Sequence, residues 1–192
     1  MTTPINPLLL DFPDHFETER LLVRAPRPGD GPTVNEAIHE SHAELRAWMP
    51  WAVEAQSIED TESVMRRMAA AFIKREDLML LLFRKADGVF VGSSGLHRID
   101  WNVPRFEIGY WIRTSLSGNG YMTEAVNGIT DFAFATLNAE RVEIRCDANN
   151  LRSAAVARRA GYPQEACLHH DARGTDGALR DTLIFAKVRQ AS

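Results

Sequence analysis

The feature that most restricts the fold is a change of hydrophobic rhythm after residue 113. Leu78 to Phe83, Val89 to His97 and Arg105 to Arg113 read as three successive strands, and Asp87-Gly88 between the first two is a hairpin signal because glycine accepts positive φ. The third strand alternates Phe106, Ile108, Tyr110 and Ile112 on one face with Glu107, Gly109 and Trp111 on the other. Beyond it, strand and helix take turns. A helix from Met122 to about Leu137 precedes a strand at Arg141 to Cys146, a helix at Leu151 to Ala160 and a strand from Tyr162. Asp176-Gly177 should turn that strand back into a last one, Leu179 to Lys187. An antiparallel meander that runs into a strand–helix–strand crossover predicts a mixed α/β (α+β) sheet of about seven strands with flanking helices. Upstream, Thr18 to Arg27 reads as a first strand, stopped by Pro26, Pro28 and Gly29. Asp30 is placed to cap a helix to Glu40, a shorter helix covers Ala43 to Met49, and Ser57 with Asp60 resembles a capping box. That third helix should bury Val64, Met68, Ala71 and Phe72.

A chain of 192 residues suits one domain, taken as residues 17–192 behind an N-terminal arm of residues 1–16. Hydrophobic residues at 45% and charged residues at 25% exclude the disordered and disulfide-scaffold classes. The net charge of −4 argues against direct binding of nucleic acid by bulk electrostatics. Two cysteines, Cys146 and Cys167, build neither a disulfide framework nor a cysteine-rich metal site, and six histidines show no helical ligand pair, so no metal is expected. The densest apolar run, Leu78 to Phe83, is far short of a membrane span, and no signal-peptide pattern opens the chain. A cytoplasmic protein with no membrane contact is the expectation.

Chemistry concentrates in Ser117-Gly118-Asn119-Gly120-Tyr121-Met122, between a strand and a helix with apolar residues at Met122, Ala125, Val126, Ile129 and Ala133. Glycines let the backbone approach a ligand, and a helix N-terminus offers unpaired N–H groups, so the loop suits phosphates. A plain turn is the alternative. No Walker sequence occurs, and a Rossmann fingerprint would need a third glycine where Thr123 stands; Glu140 lies where a ribose-binding acid is wanted, but the preceding strands look antiparallel.

Taken together, Phe106-Glu107-Ile108-Gly109-Tyr110-Trp111-Ile112, Gly118-Asn119-Gly120-Tyr121-Met122-Thr123-Glu124-Ala125, Asn150-Leu151-Arg152-Ser153 and Ala160-Gly161-Tyr162 resemble the GNAT acyltransferase superfamily. More narrowly, with Thr18-Glu19-Arg20-Leu21-Leu22-Val23-Arg24, the chain resembles the RimJ/RimL-like branch that acetylates ribosomal-protein N-termini, over residues 17 to 188. The resemblance implies a GNAT-type sheet splayed at the cofactor site, with acetyl-CoA as donor. The diphosphate would lie on the amides of Gly118, Asn119, Gly120, Tyr121, Met122 and Thr123, and the pantetheine arm would pair with the backbone of Ile112 and Arg113. Ser117 stands where the family usually has Gln or Arg, and Met122 where it has Gly or Ala. Of Arg152, Arg158 and Arg159, Arg158 is selected to meet phosphate, with a solvated helix face as the alternative.

For the chemistry, Glu107 is the leading candidate for base, because its strand should flank the thioester; a salt-bridged acid is the alternative. The family's tyrosine acid, seven residues after the motif Asn, falls on Ala157 here, so Ser153 takes its place as donor to the leaving sulfur and Asn150 caps the helix. His97 ends a strand near the cleft, and a hydrogen-bonded strand-end role is preferred to a base. Trp48 and Trp51 either pack in the core or line an acceptor groove, and Asp100 is placed to meet a protonated amine. The implied acceptor is a protein or peptide N-terminus, possibly of a ribosomal protein, and a homodimer is expected by analogy. The motifs read CoA rather than its acyl group, so other acyl-CoA donors such as succinyl-CoA stay open. A small amine or aminoglycoside acceptor, and a CoA-binding sensor without turnover, also stay open.

Overall fold

The computed structural model describes residues 6–190. Its strands are β1 (His15–Glu17), β2 (Leu21–Arg24), β3 (Leu78–Arg84), β4 (Phe90–Asp100), β5 (Arg105–Ile112), β6 (Arg141–Asp147), β7 (Gln164–Arg173) and β8 (Leu179–Val188). Its helices are α1 (Gly31–Glu40), α2 (His42–Leu45), α3 (Ile58–Lys74), α4 (Tyr121–Ala135) and α5 (Leu151–Arg159). All eight strands join one sheet in the order β1-β2-β3-β4-β5-β6-β8-β7. The expected mixed, mainly antiparallel sheet is present, with one strand more than the sequence pattern predicts.

The extra strand, β1, straddles the boundary drawn at residue 16, and Phe16 stacks on Phe132 of α4 at 5.1 Å. Phe12 is buried and meets Phe72 and Phe132 edge to face. The second half of the arm therefore belongs to the core; residues 1–5 lie outside the described residues. One sheet face carries α4 and α5, and the other carries α1, α2 and Met65 of α3. Leu80 and Leu82 enter the first core and Leu81 the second, which explains the unbroken apolar run in β3: a strand covered on both faces has no polar side.

The Ser57–Asp60 capping box forms as expected. Asp30 does not cap α1. Its two oxygens grip the Arg24 guanidinium at 2.8 and 2.6 Å, a paired contact stronger than a single bond to an amide, and Glu62 of α3 takes the amides of Gly29 and Gly31 instead.

What positions the site is the junction of β5 and β6. They pair in parallel through Arg105–Arg141, Phe106–Val142 and Glu107–Glu143, and the register stops there although β5 runs on to Ile112. Beyond Glu107 the two strands separate. Helix α4 lies over β4 and β5 and begins a short loop after Ile112, so its N-terminus stands at the end of β5 where the two strands have separated.

Candidate active site

Strand β5 presents unused backbone groups to the wedge. The Arg113 amide donates to the Val91 carbonyl at 2.8 Å, and opposite residues in an antiparallel ladder alternate between bonded and non-bonded. Tyr110 and Ile112 therefore aim their N–H and C=O away from β4, towards the side that β6 has left. The two residues chosen from sequence divide the work. Ile112 offers its backbone, whereas the Arg113 carbonyl accepts from the Leu116 amide and its side chain grips Glu36 and Glu40 of α1.

At the open end, Gly118 and Gly120 have φ of +81° and +80°, a region costly for other residues. Gly120 is the N-cap of α4 and no side chain caps the helix, so the first-turn amides of Tyr121, Met122 and Thr123 are available to an anion. The side chains of Tyr121 and Met122 are buried in the core, so the bulk of Met122 points away from that amide surface. The Asn119 side-chain amide folds back on the carbonyls of Leu116 and Ser117 and fixes the loop. Two cations flank it. Arg20 donates to the Asn119 carbonyl at 3.1 Å and lies over the Tyr121 ring, and Arg159 reaches the Thr123 hydroxyl at 3.4 Å. Arg158 turns instead to Gln164 and the Phe185 ring, because one residue further round α5 changes the face. Arg20 carries no sequence signal for this role, since the β1–β2 turn is remote from the loop; Glu124 brings them together by binding Thr18 and Arg20 at 2.6 Å each.

The acceptor side of β5 carries Glu107. Its side chain is 16% exposed at the floor of a cleft of about 520 Å³ whose walls include Trp48, Pro50, Arg145 and Thr175. Burial raises its pKa above the ordinary glutamate value, with Glu143 of β6 adding to the rise and Arg98, Arg145 and His97 opposing it. Arg98, 3.5 Å away, adopts φ of +46° in a bulge of β4. Trp48 lines this cleft, whereas Trp51 packs towards Trp111, ring centres 6.2 Å apart. Asp100 does not join them: it lies past the bulge opposite Arg105 and accepts from the Asn102 amide. A larger groove of about 830 Å³ runs along α4 and takes in Gly120, Thr123 and Arg159 together with the acidic Glu17, Glu124 and Asp131.

Inside the wedge, three polar groups converge from three elements. Asn150 caps α5 by accepting from the Ser153 amide at 3.1 Å, which holds Ser153 in the first turn. The Ser153 hydroxyl donates to the Tyr110 hydroxyl at 3.1 Å, and Tyr110 donates to the Ser153 carbonyl at 2.9 Å. Burial pushes Tyr110 up to about 12, so it stays protonated at neutral pH. Burial also pushes up the pKa of the Cys146 thiol of β6. Counting along the chain finds no tyrosine on α5; the phenol arrives from β5 across the wedge. Tyr162, by contrast, is core, its hydroxyl 2.5 Å from Thr130.

Among the described residues, Cys167, His169 and Asp181 bring one donor atom each within 4.8 Å on the β7–β8 hairpin, outside the cleft lining, and the His169–Asp181 pair is already bonded at 2.9 Å. No described helix is long and apolar enough to cross a membrane.

Residues 20–163 match the family described as Acetyltransferase (GNAT) domain. The chain belongs to that family. Its GNAT relatives include a protein of Bacillus subtilis (strain 168), YdaF, provisionally named a ribosomal N-acetyltransferase, 30% identical over 90% of this chain and 93% of the relative. The ribosomal-protein-serine acetyltransferase of Escherichia coli (strain K12) is 26% identical over 75% of this chain and 79% of its own. Among solved structures, RimL, a ribosomal L7/L12 alpha-N-protein acetyltransferase in complex with coenzyme A, shares the fold with a TM-score of 0.83 at 22% identity, covering 89% of this chain and 95% of that one. The microcin C7 self immunity acetyltransferase MccE, in complex with acetyl-CoA and AMP, gives 0.82 at 23% identity over 89% and 93%. This GNAT chain is an acyltransferase enzyme of the N-acetyltransferase type, with relatives and fold neighbours consistent with the RimJ/RimL-like branch.

Proposed function

We propose that the enzyme moves an acetyl group from acetyl-CoA to the α-amine of a protein N-terminus. The observation that carries the donor half is the wedge: β5 offers unpaired backbone along one wall, and the uncapped α4 N-terminus stands at its mouth. These features fit a long polar arm ending in a diphosphate. Tyr110 and Ile112 hold the arm, the amides from Gly118 to Thr123 hold the phosphates, and Arg159 and Arg20 supply charge in place of Arg158. Acetyl-CoA supplies a thioester carbonyl open to attack. The names of the relatives and the open cleft above Glu107 support a peptide acceptor.

A free N-terminal amine ordinarily titrates at about 7.7–8.0, so a modest base suffices to free it. Glu107, directly or through water, takes that proton. The free amide of β5 inside the wedge donates to the carbonyl oxygen as charge develops there. The Ser153–Tyr110 pair then supplies a proton to the departing sulfur, Tyr110 being held protonated by burial. Trp48 and the cleft walls exclude water from the amine's side.

Thiol release with acetyl-CoA, succinyl-CoA and a panel of N-terminal peptides and small amines tests this reading. Peptide-dependent release with acetyl-CoA, and one added acetyl mass on the peptide's α-amine, is the expected result. Release only with aminoglycosides or small amines overturns the peptide assignment, and saturable CoA binding without release from any acceptor overturns turnover. Intact-mass comparison of a proteome with and without the gene then identifies the natural acceptor.

A further inference from the structure

Beside Glu107 lies a second titratable pair. His97 of β4 is the direct partner of Glu107 in the β4–β5 ladder, so the two side chains stand on one face of the sheet with Cβ atoms about 5 Å apart. The imidazole lies flat in a slot made by two glycines that face each other across the same ladder, Gly95 and Gly109. Gly95 is required first by the β3 backbone, since a Cβ there would stand 2.6 Å from the Leu78 carbonyl oxygen before meeting the ring's Cε1 at 3.0 Å, whereas a Cβ on Gly109 would meet only the ring, 3.2 Å from Cδ2 and 3.5 Å from Nε2. A side chain at Gly109 would lift the ring off the sheet.

The slot is matched by an orienting group. Asp77, in the turn between α3 and β3, holds Nδ1 at 2.8 Å, which leaves Nε2 over Gly109 of β5. The other oxygen of Asp77 is buried and has no hydrogen-bond partner among the described residues. With Nδ1 held by the carboxylate, Nε2 is the ring nitrogen left to exchange a proton.

We propose that the Asp77–His97 pair is the proton relay of the acetyl transfer: His97 Nε2 takes the proton that Glu107 has accepted from the amine and hands it to solvent. This rests on the reading of Glu107 given above. The atoms balance without a further reactant. The amine, freed of its first proton by Glu107, uses its lone pair to form the bond to the acetyl carbon as the carbon–sulfur bond breaks. It gives up two protons, one matched by the proton the thiolate gains and one that must leave the site. Glu107, 16% exposed, faces the cleft that the acceptor would fill, whereas the His97 side chain is 27% exposed outside that lining and gives the proton another way out. The charged groups facing this path are Asp77 before β3, Arg98 of β4, Glu107 of β5, and Glu143 and Arg145 of β6.

Steady-state kinetics of the full-length protein with acetyl-CoA and serine- and alanine-initiated peptides decide the matter. His97→Gln should lower kcat by about 10- to 100-fold, at or below the bottom of the range for a lost proton-transfer group because Glu107 remains, with KM for acetyl-CoA unchanged. Asp77→Asn should lower kcat several-fold. In His97→Ala, added imidazole should restore part of the rate, and the rescue should grow as pH rises and the imidazole loses its own proton, a response a packing defect would not show. Calorimetric binding of CoA verifies that each variant is folded. A His97→Gln enzyme within twofold of wild type, or a His97→Ala enzyme indifferent to imidazole, overturns the relay alone. A wild type that binds CoA yet releases no thiol to any peptide or amine overturns the acetyl-transfer reading and the relay with it.

Discussion

Replacing Tyr110 with phenylalanine removes one hydroxyl and leaves the ring that packs in the wedge. That hydroxyl donates to the Ser153 carbonyl at 2.9 Å and accepts from the Ser153 hydroxyl at 3.1 Å. Two neutral bonds at about 0.5–1.5 kcal/mol net each give a loss of about 1–3 kcal/mol in stability. At about 2–4 °C per kcal/mol for a domain of this size, Tm should fall by roughly 2–12 °C. The pH dependence has a definite sign. Folding raises the Tyr110 pKa from its ordinary value of 10.0 to about 12, so the folded protein holds this proton more tightly than the unfolded chain. The stabilisation is complete below pH 10 and is lost as pH climbs towards 12. The gap between wild type and Tyr110→Phe should therefore narrow across that window. For catalysis, a lost general acid costs about 10²–10⁴ in rate. A thiol is a weakly basic leaving group, which puts the expected fall at or below the bottom of that range, about 10- to 100-fold. Single-turnover acetyl transfer with enzyme in excess measures the step directly. Ser153→Ala should give a loss of similar size, and the double variant should fall little further, because both hydroxyls belong to one chain of hydrogen bonds. If Tyr110→Phe loses stability but keeps the wild-type single-turnover rate, the pair is a brace across the wedge and the proton comes from elsewhere.

Glu107→Gln should cost about 10²–10⁴ in kcat at neutral pH while raising thermal stability, because burial of the charged form opposes folding above the ordinary glutamate pKa; the gain should vanish in scans at pH below that value, where both states are neutral. Equal or lower Tm at pH 7 would contradict the burial argument. Arg159→Ala should raise KM for acetyl-CoA by about three- to tenfold through loss of an ionic contact near Thr123, whereas Arg158→Ala should leave it unchanged; titrations with CoA and with dephospho-CoA verify which phosphate is involved. Tyr162→Phe removes a buried bond to Thr130, which keeps its own bond to the Val126 carbonyl, so a loss of about 1 kcal/mol in urea unfolding with unaltered KM values is expected.

Much of this site was legible because it is local. The Ser57–Asp60 box, the Asn150 cap, the two loop glycines and the two-residue rhythm of β5 are each set within a few residues, and each appears where the pattern puts it. What the pattern misplaces depends on partners far away in sequence or on turns of the backbone. Asp30 loses its capping role to Arg24, whose paired contact a helix count cannot foresee. Asp100 is carried out of the cleft by the bulge between His97 and Asp100, which changes the facing of everything after it. The choice among Arg152, Arg158 and Arg159 turns on about 100° of rotation per residue around α5, and spacing from the glycine loop does not supply that angle.

The hardest feature to read is the wedge itself, because it is made by pairing that stops. Ile108, Tyr110 and Ile112 have the same alternation and the same strand-forming side chains as Phe106, which does pair with β6. Strand propensity therefore gives no reason for the ladder to end at Glu107. The reason lies in what fills the gap. Beyond Glu143, β6 gives its other edge to β8 through Asp147, while the Tyr110–Ser153 bonds tie β5 to α5 rather than to β6. Glu124 pins the first turn of α4 to Thr18 and Arg20 at the far side of the opening. Each of these side-chain contacts joins residues at least 43 positions apart, and together they keep β5 from closing on β6. The backbone groups available to the donor are thus held open in part by side chains that do not themselves contact it, so losses at Thr18 or Glu124 should appear as weaker CoA binding before they appear in the chemical step.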